Sequence, residues 1–185
     1  SVFRATGEEA YENPVPIVDG VIIPDQFGKL LSEGKFNKVP FMTGTNSSEG
    51  LLFGIGATEP VTPENYPKIV EQLWPDHKDS VLAKYPLASY ASAVDAYSEI
   101  VGDAYYLCDA RATAVSLSAA GVPVFVYLNT MPLSLFGGAG ISVATHGVDR
   151  AFFFGTPFVE QRGSPTEKEF AKLCQQYLFQ FAKTG

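Results

Sequence analysis

Val122-Pro123-Val124-Phe125-Val126-Tyr127-Leu128 and Val39-Pro40-Phe41-Met42-Thr43-Gly44-Thr45 decide how this chain folds. The first is rich in aromatic and β-branched residues with little alternation, which predicts a strand buried on both faces, as in a parallel sheet. The second is a short apolar run closed by Asn46-Ser47-Ser48, and it reads as a buried strand opening into a loop. Pro40 stands at its start, where a missing N–H does least harm.

Working outward, the segments between and around these runs carry helical signals. Ser47 and Ser48 are placed to cap a short helix that begins near Glu49 and carries Leu51, Leu52 and Phe53. Residues 54–64 are a Gly/Pro/Thr-rich connector. Short helices are expected over 66–74 and 78–85, with His77 solvent-facing in the charged turn between them. Residues 92–120 form a long helical stretch, divided at Gly102 with Asp103 as an N-cap and ended by Gly121. After the second strand comes a long Gly-rich loop, 132–147, a kind of segment more often functional than idle. Ser164-Pro165-Thr166-Glu167 carries the signature of a capping box. Phe170, Leu173, Cys174, Tyr177, Leu178 and Phe181 then recur at helical spacing as one apolar stripe, with Cys174 as a small buried hydrophobe. Near the start, residues 1–15 read as loop and Asp19-Gly20 as the turn of a β-hairpin joining Ile17-Val18 to Val21-Ile22-Ile23. A short helix over 26–33 follows.

Strands separated by helices imply an α/β layer architecture. Two core strands in 185 residues leave sheet edges unpaired, so the chain is expected to complete a sheet whose other strands lie elsewhere. Residues 1–185 are then one segment of a single domain. Both ends read as cut, since the chain starts at Ser1 and stops in a helical pattern.

Composition narrows the function classes. Lys and Arg number 13 against 20 Asp and Glu, a net charge of −7, and no basic cluster is present. That argues against nucleic-acid partners, whose phosphates demand concentrated positive charge. No apolar run reaches the roughly 20 residues of a membrane-spanning helix. Two cysteines, Cys108 and Cys174, cannot build a four-cysteine metal site. HExxH, CxxC, Walker and GxGxxG patterns do not occur, so neither a metal nor an organic cofactor is implied.

The chemistry-bearing candidates are Glu49, just past one strand, and His146, in the loop after the other. Ligands of open α/β sheets gather at the carboxyl ends of the strands, so one crevice would hold both. A carboxylate bonded to one imidazole nitrogen fixes the tautomer and stabilises the imidazolium formed when the other nitrogen takes a proton. Against this, a loop histidine is commonly a solvated side chain, and a glutamate at a helix start commonly a dipole-favoured cap.

Thr43-Gly44-Thr45-Asn46-Ser47-Ser48-Glu49-Gly50 resembles the segment that holds the acidic triad member in type-B carboxylesterases, the cholinesterase/carboxylesterase family. His146-Gly147-Val148-Asp149-Arg150-Ala151-Phe152-Phe153-Phe154-Gly155 resembles that family's histidine segment, with Asp149 where glutamate is more usual. Val18-Asp19-Gly20 with Ile23-Pro24-Asp25, Gly34 to Pro40, Gly102-Asp103 with Cys108, and Phe181 to Gly185 match in the same order.

The resemblance implies the C-terminal part of an α/β-hydrolase fold, a mostly parallel sheet flanked by helices and incomplete without its N-terminal part. It also implies a Ser–His–Glu triad, with Glu49 the orienting acid and His146 the general base. The family's Gly-x-Ser-x-Gly nucleophile elbow and its oxyanion loop are absent here. The implied partners are therefore an N-terminal portion carrying the serine and a small-molecule ester. Leu52 and Phe53 are candidate substrate-binding residues, with ordinary core packing as the alternative. In the family Cys108 can bridge to a cysteine near the C-terminus, in a region not among these residues, and Cys174 on the last helix's apolar stripe is a poor substitute partner. Secretion is common in the family, but these residues leave the compartment open. The competing function is a non-catalytic adhesion or binding protein on the same scaffold.

Overall fold

Phe41–Asn46 (β1) and Val124–Asn129 (β2) pair in parallel, in register from Phe41 opposite Val124 to Asn46 opposite Asn129. The structure is a computed structural model describing residues 16–57 and 59–185. The expected loop at 1–15 lies outside the described residues. Among those described, the sheet has two strands, as the sequence predicts.

The connection from β1 to β2 is helical: Leu51–Ile55 (α2), Tyr66–Leu73 (α3), Lys78–Lys84 (α4), Ala93–Gly102 (α5) and Cys108–Ala119 (α6). Phe27–Ser32 (α1) precedes β1. After β2 come a 3₁₀ segment, Ser134–Ala139, and then Val148–Phe153 (α7), Pro157–Arg162 (α8) and Pro165–Thr184 (α9). Two apolar cores hold these elements. One gathers Tyr66, Val70, Tyr85, Ala96 and Ile100 from the β1–β2 connection, and there the buried Tyr66 hydroxyl donates to the Tyr85 carbonyl at 2.8 Å. The other joins Leu133, Val148, Phe152, Val159 and Cys174 beneath α9. Phe152 and Phe170 meet edge-on within it, ring centres 5.0 Å apart.

The capping box forms as the sequence dictates. Ser164 Oγ accepts the Glu167 N–H at 3.2 Å, and Glu167 Oε2 accepts the Ser164 N–H at 2.7 Å. Cys174 is buried on α9, and burial pushes its thiol pKa up; Cys108 is exposed and both are free.

Five local expectations are corrected. Residues 17–23 form no hairpin: Asp19 Oδ1 accepts the N–H groups of Val21, Ile22 and Ile23 at 2.8–3.0 Å, and this side-chain turn takes the donors a second strand would need. Ser47 and Ser48 do not cap α2. Their N–H groups donate to the Asn129 and Ala144 carbonyls, both at 2.9 Å, which carries the β1 path onward, and Gly50 occupies the N-cap. Asp103 is no N-cap either. Helical backbone runs on through a π turn, Asp103–Leu107, that joins α5 to α6, and the Asp103 carboxylate accepts the Tyr85 hydroxyl at 2.6 Å. β2 is not buried on both faces: Val126 and Leu128 are 64% and 60% exposed, left uncovered by the described helices. The α9 stripe is likewise split. Ala171 and Cys174 are buried, while Leu173 and Tyr177 stay exposed along an apolar groove of about 340 Å³ shared with Phe125 and Val126.

Candidate active site

The site is assembled where β1 and β2 end. Beyond β1 the chain turns sharply into α2, and a close crossing on α5 fixes that turn. A Cβ on Gly50 would overlap the Ser98 carbonyl of α5, so only glycine lets the turn sit this close. The preceding residue, Glu49, is thereby pressed inward to 7% exposure. Its Oε1 accepts the Asn46 N–H at 2.6 Å and the Asn46 Nδ2 at 3.0 Å.

His146 arrives from the loop after β2. A one-residue parallel bridge between Ser48 and Thr145 clamps that loop beside the acid's turn. Gly147 then takes φ +79°, a left-handed conformation that favours glycine, and turns the chain into α7. The result brings two residues 97 positions apart together: His146 Nδ1 lies 2.6 Å from Glu49 Oε2. Facing a carboxylate, Nδ1 is the donor, and in the neutral ring that tautomer leaves Nε2 as the acceptor. The imidazole is 46% exposed. A buried carboxylate thus holds an accessible imidazole.

Two aromatic rings wall the imidazole. Tyr106 lies with its ring centre 4.7 Å from that of His146, and Phe53 at 5.6 Å. The expected substrate-side residue Phe53 therefore meets the imidazole; Leu52, one position earlier on α2, is half-buried and is not part of this ring cluster. Tyr106 escaped the sequence reading. It is delivered by the π turn, which no local residue pattern announced. Burial, and secondarily the Glu49 charge, pushes its phenol above the usual range. On the loop side, Leu133, Phe136, Phe154 and Phe158 line an open cavity of about 560 Å³ that reaches His146.

Asn46, Asn129 and Tyr127 are further members the sequence reading did not single out, and Asp149, noted there only as a departure from the family pattern, joins them. The strand register places Asn46 opposite Asn129, and Tyr127 donates to Asp149 Oδ2 at 2.8 Å. Only the pairing of two strands far apart in sequence could have flagged them. No serine hydroxyl among the described residues hydrogen-bonds the imidazole, and Ser164 is the α9 cap. No group of three or more His, Cys, Asp or Glu side chains fit to hold a metal ion occurs among the described residues. No described helix is long and apolar enough to cross a membrane.

Similarity to known proteins follows the same lines. Over 196 residues the chain is 26% identical to carboxylesterase 4A of Bos taurus, covering 92% of this chain and 34% of that protein. It is 24% identical to the acetylcholinesterase of Bungarus fasciatus over 188 residues, covering 92% of this chain and 31% of that one. The crystal structure of Aspergillus niger EstA superposes with a TM-score of 0.61 at 23% identity, over 77% of this chain and 29% of that chain. The fold is thus a partial α/β-hydrolase fold, and the chain spans about a third of the length of the curated relatives it matches. Residues 3–185 match the model of the carboxylesterase family, and the chain belongs to that family.

Proposed function

We propose that this chain supplies the acid and base of a serine carboxylic-ester hydrolase whose nucleophile and oxyanion donors lie on an N-terminal portion of the same polypeptide. The observation that carries the reading is the 2.6 Å bond between buried Glu49 and half-exposed His146. In the proposed reaction His146 Nε2 takes the proton of the serine hydroxyl as its oxygen attacks the ester carbonyl. Glu49 stabilises the imidazolium and keeps the ring in its productive orientation. The imidazolium then gives its proton to the departing alcohol. Water, deprotonated by the same nitrogen, releases the acid from the acyl-enzyme. Phe53 and Leu52 are proposed to bound the substrate on the α2 side, and the apolar cavity beside His146 favours an ester with a hydrophobic arm.

Family membership supports ester hydrolysis, and the hydrogen-bonded pair favours it over adhesion, which needs neither group. Residues 1–185 alone are expected to be inactive: no acyl-enzyme forms without the serine, and each missing oxyanion donor removes about 3–4 kcal/mol of transition-state stabilisation. The test is His146→Ala in the complete polypeptide, assayed on a short p-nitrophenyl ester. Turnover should be abolished. Near-normal turnover would overturn the proposal.

A further inference from the structure

We infer that Asn46 is a positioning residue for the proposed acid, held in its task by Asp149 through a ring of hydrogen bonds that the backbone 146–149 closes. The inference rests on the acid–base roles proposed for Glu49 and His146.

The ring can be followed atom by atom. His146 Nδ1 lies 2.6 Å from Glu49 Oε2, and Glu49 Oε1 accepts from Asn46 Nδ2 at 3.0 Å. The same Asn46 amide donates to Asp149 Oδ1 at 3.2 Å. Asp149 stands three residues after His146, so the backbone 146–149 closes the circle. An amide nitrogen has two hydrogens, and here each goes to a different carboxylate.

The orientation of that amide is determined from outside the ring. Asn46 Oδ1 accepts from Asn129 Nδ2 at 2.7 Å, and Asn129 Oδ1 accepts the Met131 N–H at 3.1 Å. With its oxygen turned to β2, the Asn46 amide must aim its hydrogens at the two acids. Asp149 is fixed in turn by the Tyr127 hydroxyl on Oδ2 and by the Arg150 N–H on Oδ1. The amide between them keeps the two carboxyl groups from facing each other directly.

The chemical consequence concerns aim. Glu49 has one oxygen on the base; its other oxygen receives both Asn46 donors, so rotation of the carboxylate breaks three bonds together. Small misplacement of a catalytic group costs on the order of 10²-fold in rate. Asp149 touches neither base nor substrate in this scheme; it acts through Asn46.

The test is a double-mutant cycle in the complete polypeptide on a short p-nitrophenyl ester. Asn46→Ala should lower kcat by about 10–100-fold with KM little changed, as loss of an outer-shell partner does elsewhere. Asp149→Ala should lower kcat about tenfold by the same reasoning, and Asp149→Asn, which keeps an acceptor for the amide, should restore most of it. In the Asn46→Ala background Asp149→Ala should add almost nothing, because its hydrogen-bonded route to the acid is gone. Multiplying effects, or a change confined to KM, would overturn the inference. His146→Ala run alongside separates the two readings. If it is dead while Asn46→Ala and Asp149→Ala turn over normally, only the positioning role fails; if it is active, the acid–base assignment fails. Should Asn46→Ala not fold, the contrast between Asp149→Ala and Asp149→Asn still decides, since equal kcat for the two contradicts the ring.

Discussion

Glu49 and Glu167 are both buried, at 7% and 3% exposure, and both accept backbone N–H groups. Around Glu167 every bond is structural. It takes the Ser134 N–H at 2.6 Å, the Ser134 hydroxyl at 2.9 Å and the Ser164 N–H at 2.7 Å, tying the 3₁₀ segment after β2 to the start of α9. Around Glu49 one oxygen is held by Asn46 and the other is turned to an imidazole that reaches solvent. Burial and hydrogen bonding alone therefore do not set the proposed acid apart. What distinguishes Glu49 is an oxygen committed to a solvent-accessible imidazole.

The largest effect that sharpens this contrast is expected from matched amide substitutions. Glu49→Gln in the complete polypeptide should cut kcat by about 10⁴-fold, the scale for a triad acid turned amide, with little change in melting temperature. Glu167→Gln should leave kcat nearly unchanged. Equal kinetic losses from the two would dissolve the contrast.

Next in size is Gly50→Ala. Its methyl group would run into the backbone of Ser98 and Gly102, so neither side can yield cheaply. A loss of about 3 kcal/mol in denaturant stability is expected, together with reduced turnover as Glu49 is displaced. Wild-type stability in this variant would mean the α2–α5 crossing is looser than described.

Glu167→Gln itself should cost about 2 kcal/mol at neutral pH, the scale for charged hydrogen bonds lost in a buried place. Burial raises the Glu167 pKa, but the bonds from Ser134 and Ser164 together outweigh it and hold the carboxyl below its ordinary 4.5. A depressed folded pKa means the contribution is complete above about pH 4.5 and fades as pH falls through the lower folded value. The melting-temperature gap between wild type and Glu167→Gln should accordingly narrow on acidification below about pH 4.5. A gap that widens would contradict the sign. The smallest effect belongs to Ser164→Ala, about 1 kcal/mol for a lost N-cap, measurable by thermal melts and without kinetic consequence.

The parts of this architecture legible in the sequence are those written in neighbouring residues. The β1 and β2 runs, the α9 capping box and the Gly121 stop each depend on a few adjacent side chains, and each stands where expected. Glu49 and His146 were legible as chemistry-bearing residues at strand ends, and the structure brings them together. What was hidden depends on register or on helix phase. Asn46 meets Asp149 only because two strands 83 positions apart align Asn46 with Asn129 and bring the two chain ends level. Tyr106 reaches His146 only because a π turn inserts an extra residue where the Gly102-Asp103 pair signals a break between two helices. Asp19-Gly20 misled for the opposite reason. Its hairpin signal was local, but the Asp19 side chain captured the backbone donors first. The exposed faces of β2 and α9 read as core because apolar content predicts burial without saying against what.

The most direct measurement is chemical rescue of His146→Ala in the complete polypeptide, following p-nitrophenyl ester turnover as free imidazole is added. The proposed pairing of an accessible base with a buried acid predicts near-zero turnover without imidazole and a rate that climbs with its concentration. It also predicts that the climb is largely lost when Glu49→Gln is added to the same chain. Turnover of His146→Ala close to wild type, indifferent to imidazole, would contradict the account.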